Sequence, residues 1–143
     1  MKYHFKVHKE NGGFWAECLE LKGCFTQGDS MTELEKNMKE AVELFVSEPA
    51  DSKVILSLPK KSLKGPNVVA VGVDPKIAFA FHLRRLRLKR KLTQQEAAKR
   101  MGFKNLYSYQ RIENAKIANP ELTTIIQIKK VFPEFNLDDI IAA

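Results

Sequence analysis

The 143-residue sequence has two cysteines, one tryptophan, six prolines, seven glycines and no long apolar run. Each scarcity removes a class of protein. Nothing approaches the ~20 apolar residues that cross a bilayer, and no charged-then-apolar leader opens the chain. A soluble cytoplasmic protein with no membrane partner is expected. Cys18 and Cys24 lack further Cys or His neighbours at zinc-site spacing, and one pair does not make a disulfide framework; both read as free, partly buried thiols. The first half contains no paired-acid motif, no glycine-rich phosphate loop and no helical His pair. His4 and His8 share a strand face with Lys6, but no nucleophile or ligand set accompanies them, so they read as solvent-facing strand residues. No enzyme activity, metal or cofactor is expected.

What is present is charge, unevenly placed. The formal net charge is +7. Residues 1 to 60 hold eight Lys/Arg against ten Asp/Glu, whereas residues 76 to 143 hold fourteen against six. A basic second half joined to a slightly acidic first half is the footprint of a nucleic-acid module attached to something else.

The first half opens with strand alternation, Tyr3, Phe5 and Val7 against His4, Lys6 and His8. "ENGG" supplies a hairpin turn, "FWAECLE" resumes the extended pattern, and a third short piece lies around residues 24 to 27. At "SMTE" the period changes. Ser30 and Glu33 form a capping box, and Leu34, Met38, Ala41, Val42 and Phe45 recur on one helical face, giving an amphipathic helix over a sheet that ends before Pro49. Residues 68 to 73 are expected as a fourth strand and residues 54 to 58 as a looser edge segment. The fold class is therefore α+β: a small β-β-β-α-β domain over residues 1–74, then an all-α five-helix domain over residues 75–143.

In the second half a helix over residues 76 to 91 carries Leu83 and Leu86 inward, with Arg84, Arg85, Arg87, Lys89, Arg90 and Lys91 at or near the surface. Thr93 and Glu96 make a second capping box. Ala97 and Ala98 permit close helix approach, and Gly102 suits the positive φ of a turn. A third helix is expected over residues 105 to 114, a fourth after Asn119 and Pro120 with Leu122, Ile125 and Ile128 inward, and a short fifth over residues 137 to 142.

"LRRLRLKRKLTQQEAAKRMG", "YQRIE" and "NPELTTIIQI" resemble the five-helix helix-turn-helix domain of the phage-repressor and Cro type, over residues 83 to about 132. The resemblance implies that Gln94 and Gln95 approach DNA from the second helix and that Lys104, Asn105, Tyr107, Ser108, Gln110 and Arg111 serve the recognition helix. Asn and Gln suit adenine, Arg suits guanine, and Lys99, Arg100 and Lys104 suit phosphates. The segment from Gly102 to Glu113 is one residue longer than the family's usual spacing. The extra residue falls within "FKNLY", leaving Lys104, Asn105, Leu106 and Tyr107 as alternatives for facing the groove.

The run "YHFKVHKENGGFWAECLELKGCFTQGDSMTELEKNMKEAVELFV" resembles the HicB antitoxin domain, with "GCFTQGDS" its most specific part and Lys22 standing where that family has a proline. This implies a partly degraded RNase-H-like fold without nuclease activity that binds a small basic HicA-type toxin, an mRNA endoribonuclease. Candidate toxin contacts are Trp15, Glu17, Glu20, Asp29, Glu33, Glu40 and Glu43. The expected protein is the antitoxin of a type II HicA/HicB pair that also represses its own operon, with operator DNA as second partner, acting as a homodimer or in a larger complex with toxin. The rival reading is a helix-turn-helix transcriptional regulator whose first half senses a small ligand.

Overall fold

The computed structural model describes residues 1–141. The chain is α+β: a four-stranded antiparallel sheet with one helix, followed by helices alone. It divides into two compact units, Met1–Val46 with Leu56–Asp74, and Ser47–Ile55 with Pro75–Ile141. A boundary drawn at residue 74 assigns Ser47–Ile55 to the first unit; contacts group it with the second. Among the described residues no helix is long and apolar enough to cross a membrane.

In the first unit, β1 (Lys2–Glu10), β2 (Gly13–Cys18), β3 (Phe25–Gly28) and β4 (Val68–Gly72) take the order β3-β2-β1-β4. Asn11 (φ 48°) and Gly12 (φ 79°) make the left-handed β1–β2 turn that "ENGG" predicts. The register pairs Phe5 with Cys18 and Val69, and Val7 with Ala16, so Tyr3, Phe5, Ala16, Cys18 and Val71 share one face. Helix α1 (Met31–Val46) covers it with Leu34, Met38, Val42 and Val46. Ser30 Oγ accepts from the amide of Glu33 (3.2 Å), while the Glu33 carboxylate reaches one residue further back, to the amide of Asp29 (2.9 Å). Gly28 sits directly under this turn: a Cβ there would lie 2.7 Å from the Leu34 nitrogen.

Three expectations for this unit change. Residues 54 to 58 form no strand; the chain passes β1 as an irregular segment, with the Tyr3 hydroxyl donating to the Ser57 carbonyl (2.7 Å). His4 is buried, because Glu20 folds back over it: the carboxylate accepts from the His4 amide (2.8 Å), contacts His4 Nδ1 (2.8 Å) and accepts from the Lys60 amide (3.0 Å). Cys18 and Cys24 are free but fully rather than partly buried, joined through backbone by Cys18 N–H donating to the Cys24 carbonyl (2.8 Å).

The second unit comprises α2 (Pro75–Lys89), α3 (Gln94–Arg100), α4 (Leu106–Glu113), α5 (Leu122–Val131) and α6 (Asp138–Ile141). The predicted fifth helix began at residue 137, and its last residue, 142, lies outside the described residues. Ala78, Leu83, Ala97, Tyr109, Ile128 and Phe132 make the core. Leu122, expected inside, is 73% exposed: it stands in the uncovered first turn of α5, and only Ile128 of that helix is fully inside. Arg84 and Arg87, expected at or near the surface, are buried, at 5% and 4% exposure. Their aliphatic stems fill the interior and their guanidinium groups find oxygen partners there.

Candidate nucleic-acid interface

Helices α3 and α4 form the turn unit. Thr93 Oγ1 accepts from the Glu96 amide (3.1 Å) and the Glu96 carboxylate accepts from the Thr93 amide (3.1 Å), so α3 begins with a complete capping box. The Thr93 backbone bond holds the exposed Glu96 carboxyl below its usual pKa. Gly102, at φ 75°, turns the chain between the helices.

Asn105 caps α4, its Oδ1 accepting from the Ser108 amide (2.9 Å) and hydroxyl (3.0 Å). This places the start of α4 within "FKNLY". Lys104 and Asn105 precede the helix, while Leu106 and Tyr107 are its first two residues. Tyr107 is 66% exposed and Arg111 lies one turn further along the same exposed face. Ser108 and Asn105 spend part of their hydrogen-bonding capacity on the cap.

Beneath this surface lies a buried polar network. Arg87 donates to Glu113 through Nη2 (2.6 Å) and Nε (2.8 Å) and to the Leu92 carbonyl through Nη1 (3.0 Å). The Tyr109 hydroxyl donates to the same carboxylate. Burial opposes the charge of Arg87, but its bonds to Glu113 outweigh that and raise its pKa; burial and then the Glu113 charge raise that of Tyr109. Gln94 extends the network, donating to Glu113 Oε1 (3.3 Å) and accepting from Gln110 Nε2 (3.2 Å). Gln94 and Gln110 are therefore half-buried and mutually oriented, whereas Gln95, Lys104, Tyr107 and Arg111 stand open to a ligand. Such an array offers amides, an aromatic and cations, the side-chain types that suit base edges and phosphates. Sequence reading missed Arg87 and Glu113 as the base of this surface, since a hydropathy pattern treats both as exterior.

The first unit separates its candidate partner residues into two groups. Trp15 and Glu17 lie on the sheet face opposite α1, where Trp15 pairs with His8 and Gln27, and Glu17 with Lys6 and Phe25. The His8 and Trp15 rings stack with centroids 4.0 Å apart, His8 Nε2 meets Glu17 Oε1 at 3.3 Å, and Phe25 is 70% exposed. Asp29, Glu33, Glu40 and Glu43 belong instead to α1 and its approach. Glu33 is used in the cap, and Glu43 accepts from Lys39 (2.7 Å) and the Asp74 amide (2.8 Å), leaving Glu40 and Asp29 most open. Glu20 does not belong to either surface. Its side chain is 2% exposed and engaged with His4 and Lys60.

A helix-turn-helix family model matches residues 83–140, wholly within the second unit. A UPF0150 protein of Helicobacter pylori is 38% identical to this chain over 65 residues, 45% of this chain and 89% of the relative. The chain belongs to the UPF0150 family. Two further UPF0150 relatives come from Synechocystis: ssl0738 is 33% identical over 55 residues, 38% of this chain and 75% of the relative. For ssr1765 the identity is 44% over 45 residues, 31% of this chain and 57% of the relative, so the chain spans little more than half of that protein. The chain thus matches UPF0150 proteins and carries a helix-turn-helix domain over residues 83–140, which supports a role in transcription regulation.

Proposed function

We propose that the protein is an antitoxin of the HicA/HicB type that neutralises a small basic RNA-cleaving toxin through its first unit and represses its own operon through its second. The carrying observation is that the net positive charge is confined to the unit with the helix-turn-helix match, while the other unit carries an exposed aromatic sheet face and open carboxylates. The first unit offers an aromatic sheet face with one carboxylate, formed by Trp15, Glu17 and Phe25, and further open carboxylates at Asp29 and Glu40. The second half is strongly basic and carries the helix-turn-helix match. The exposed carboxylates Glu17, Asp29 and Glu40 suit a cationic RNA-binding toxin, and the basic second unit suits duplex DNA. On this reading Trp15, Glu17, Asp29 and Glu40 contact toxin, while Glu33, Glu43 and Glu20 hold the first unit in shape. The DNA reader acts as a homodimer or within a larger complex with toxin.

Co-expression with the small protein encoded beside the gene tests the toxin arm. Copurification of the two and rescue of growth from that protein's toxicity are expected. A neighbour that is non-toxic, or toxic but neither bound nor neutralised, removes the antitoxin reading.

A further inference from the structure

We propose that the Ser47–Ile55 segment extends the DNA-binding surface, with Lys53 as a sequence-independent phosphate contact beside α3 and α4; this rests on the DNA-reading role proposed above for the second unit. The segment lies outside the helix-turn-helix match yet groups with that unit. It is tethered rather than loose: the Arg84 guanidinium donates to the Glu48 carbonyl, and the Ser52 amide closes a turn onto the Pro49 carbonyl at 3.0 Å. The Val54 amide then donates to Ser52 Oγ (3.2 Å). These bonds fix the backbone on both sides of Lys53.

Two concavities show where the tether leads. Lys53 lines one together with Lys91, Gln94, Gln95 and Leu106. Pro49 and Ala50 line the other together with Tyr107, Gln110 and Arg111. The segment therefore flanks the surface formed by the start of α3 and the exposed face of α4, and adds a cation at its edge. Lys53 and Lys91 are both exposed. A lysine ammonium is a mobile point charge that suits a phosphate oxygen and reads no base, which is the role of flanking contacts on a duplex. Asp51 lines the same concavity and is exposed. It opposes a phosphate there, and so sets the sign of a control.

Fluorescence anisotropy of the full chain on a duplex from its own promoter, and on a scrambled duplex of equal length, measures the effect across a salt titration. Lys53→Ala is expected to weaken both duplexes by a similar factor, about three- to tenfold near 0.1 M salt, and to flatten the slope of log K against log salt by about one unit per bound chain. Asp51→Asn is expected to tighten both. Arg111→Ala serves as reference and is expected to weaken the promoter duplex selectively. If Arg111→Ala weakens binding while Lys53→Ala leaves affinity and salt slope unchanged, the phosphate contact is overturned and the DNA-reading role survives. If the wild-type chain binds neither duplex, both fall.

Discussion

Arg87 and Glu113 lie 26 positions apart in sequence and meet in the interior of the second unit, with side-chain exposures of 5% and 1%. A buried pair of this kind costs several kcal/mol to desolvate, and bidentate geometry with added partners offsets that cost. Breaking it from one side strands a charge. Glu113→Gln is therefore expected to destabilise the helical unit by about 3–5 kcal/mol, read from urea melts at 222 nm, whereas Arg87→Met with Glu113→Leu recovers most of the loss. A double variant no better than the single would show that the carboxylate is needed for more than charge balance.

His82 gives a second residue-level prediction. Burial holds its pKa down at about 4, opposed by the nearby Asp139 charge. Between pH 6.5 and 4 the unfolded chain binds the proton and the folded unit does not, so stability falls as pH drops through that window. The loss is on the order of 2–3 kcal/mol by pH 4. His82→Leu should flatten this part of the pH profile, and an unchanged slope would assign the acid sensitivity to other groups. Neither feature was legible in sequence: periodicity sorts residues by hydropathy, and Arg84, Arg87 and His4 are inside because particular oxygens meet them there.

At the scale of elements, local chemistry was much more legible. The alternation of β1, the "ENGG" turn and the Thr93–Glu96 box each depend on residues within a few positions of one another, and all appear where those residues require them. Elements that depend on distant covering did not read correctly. Residues 54 to 58 have strand propensity but join none of the four strands of the sheet, and Leu122 has a helical spacing but stays 73% exposed. Gly28 shows the same division. Its sequence context marks a loop, yet its necessity comes from α1 pressing on β3, with 2.7 Å between an added Cβ and the Leu34 nitrogen. Backbone cannot yield as a flexible side chain does. Gly28→Ala is expected to cost about 1–3 kcal/mol, chiefly by displacing the start of α1. Trp15 is the single tryptophan and lies on β2, so its fluorescence reports this unit's unfolding. A Trp15 midpoint equal to wild type would mean that the helix start shifts freely.

The whole molecule poses a question of independence, because two units of different charge and fold are proposed to serve two partners. The candidate DNA-facing residues could be listed from the sequence but not ranked. The structure turns Gln94 and Gln110 toward Glu113 and each other, leaving Gln95 and Arg111 exposed. Substituting Gln94 would disturb the buried network as well as any DNA contact, so the sharper variant is Gln95→Ala with Arg111→Ala. Each truncates a polar side chain on the surface, and losing one base-directed contact typically costs about 1–3 kcal/mol. The double variant is expected to lose roughly 30-fold or more in affinity for its promoter duplex while keeping full growth rescue against the neighbouring toxin. In the opposite direction, Trp15→Ala with Glu17→Lys should impair rescue and leave promoter affinity within a factor of about two, since neither residue belongs to the helix-turn-helix unit. Circular dichroism must first show both variants folded. If either folded variant loses both activities, repression and neutralisation share a surface, and the assignment of one task to each unit is wrong.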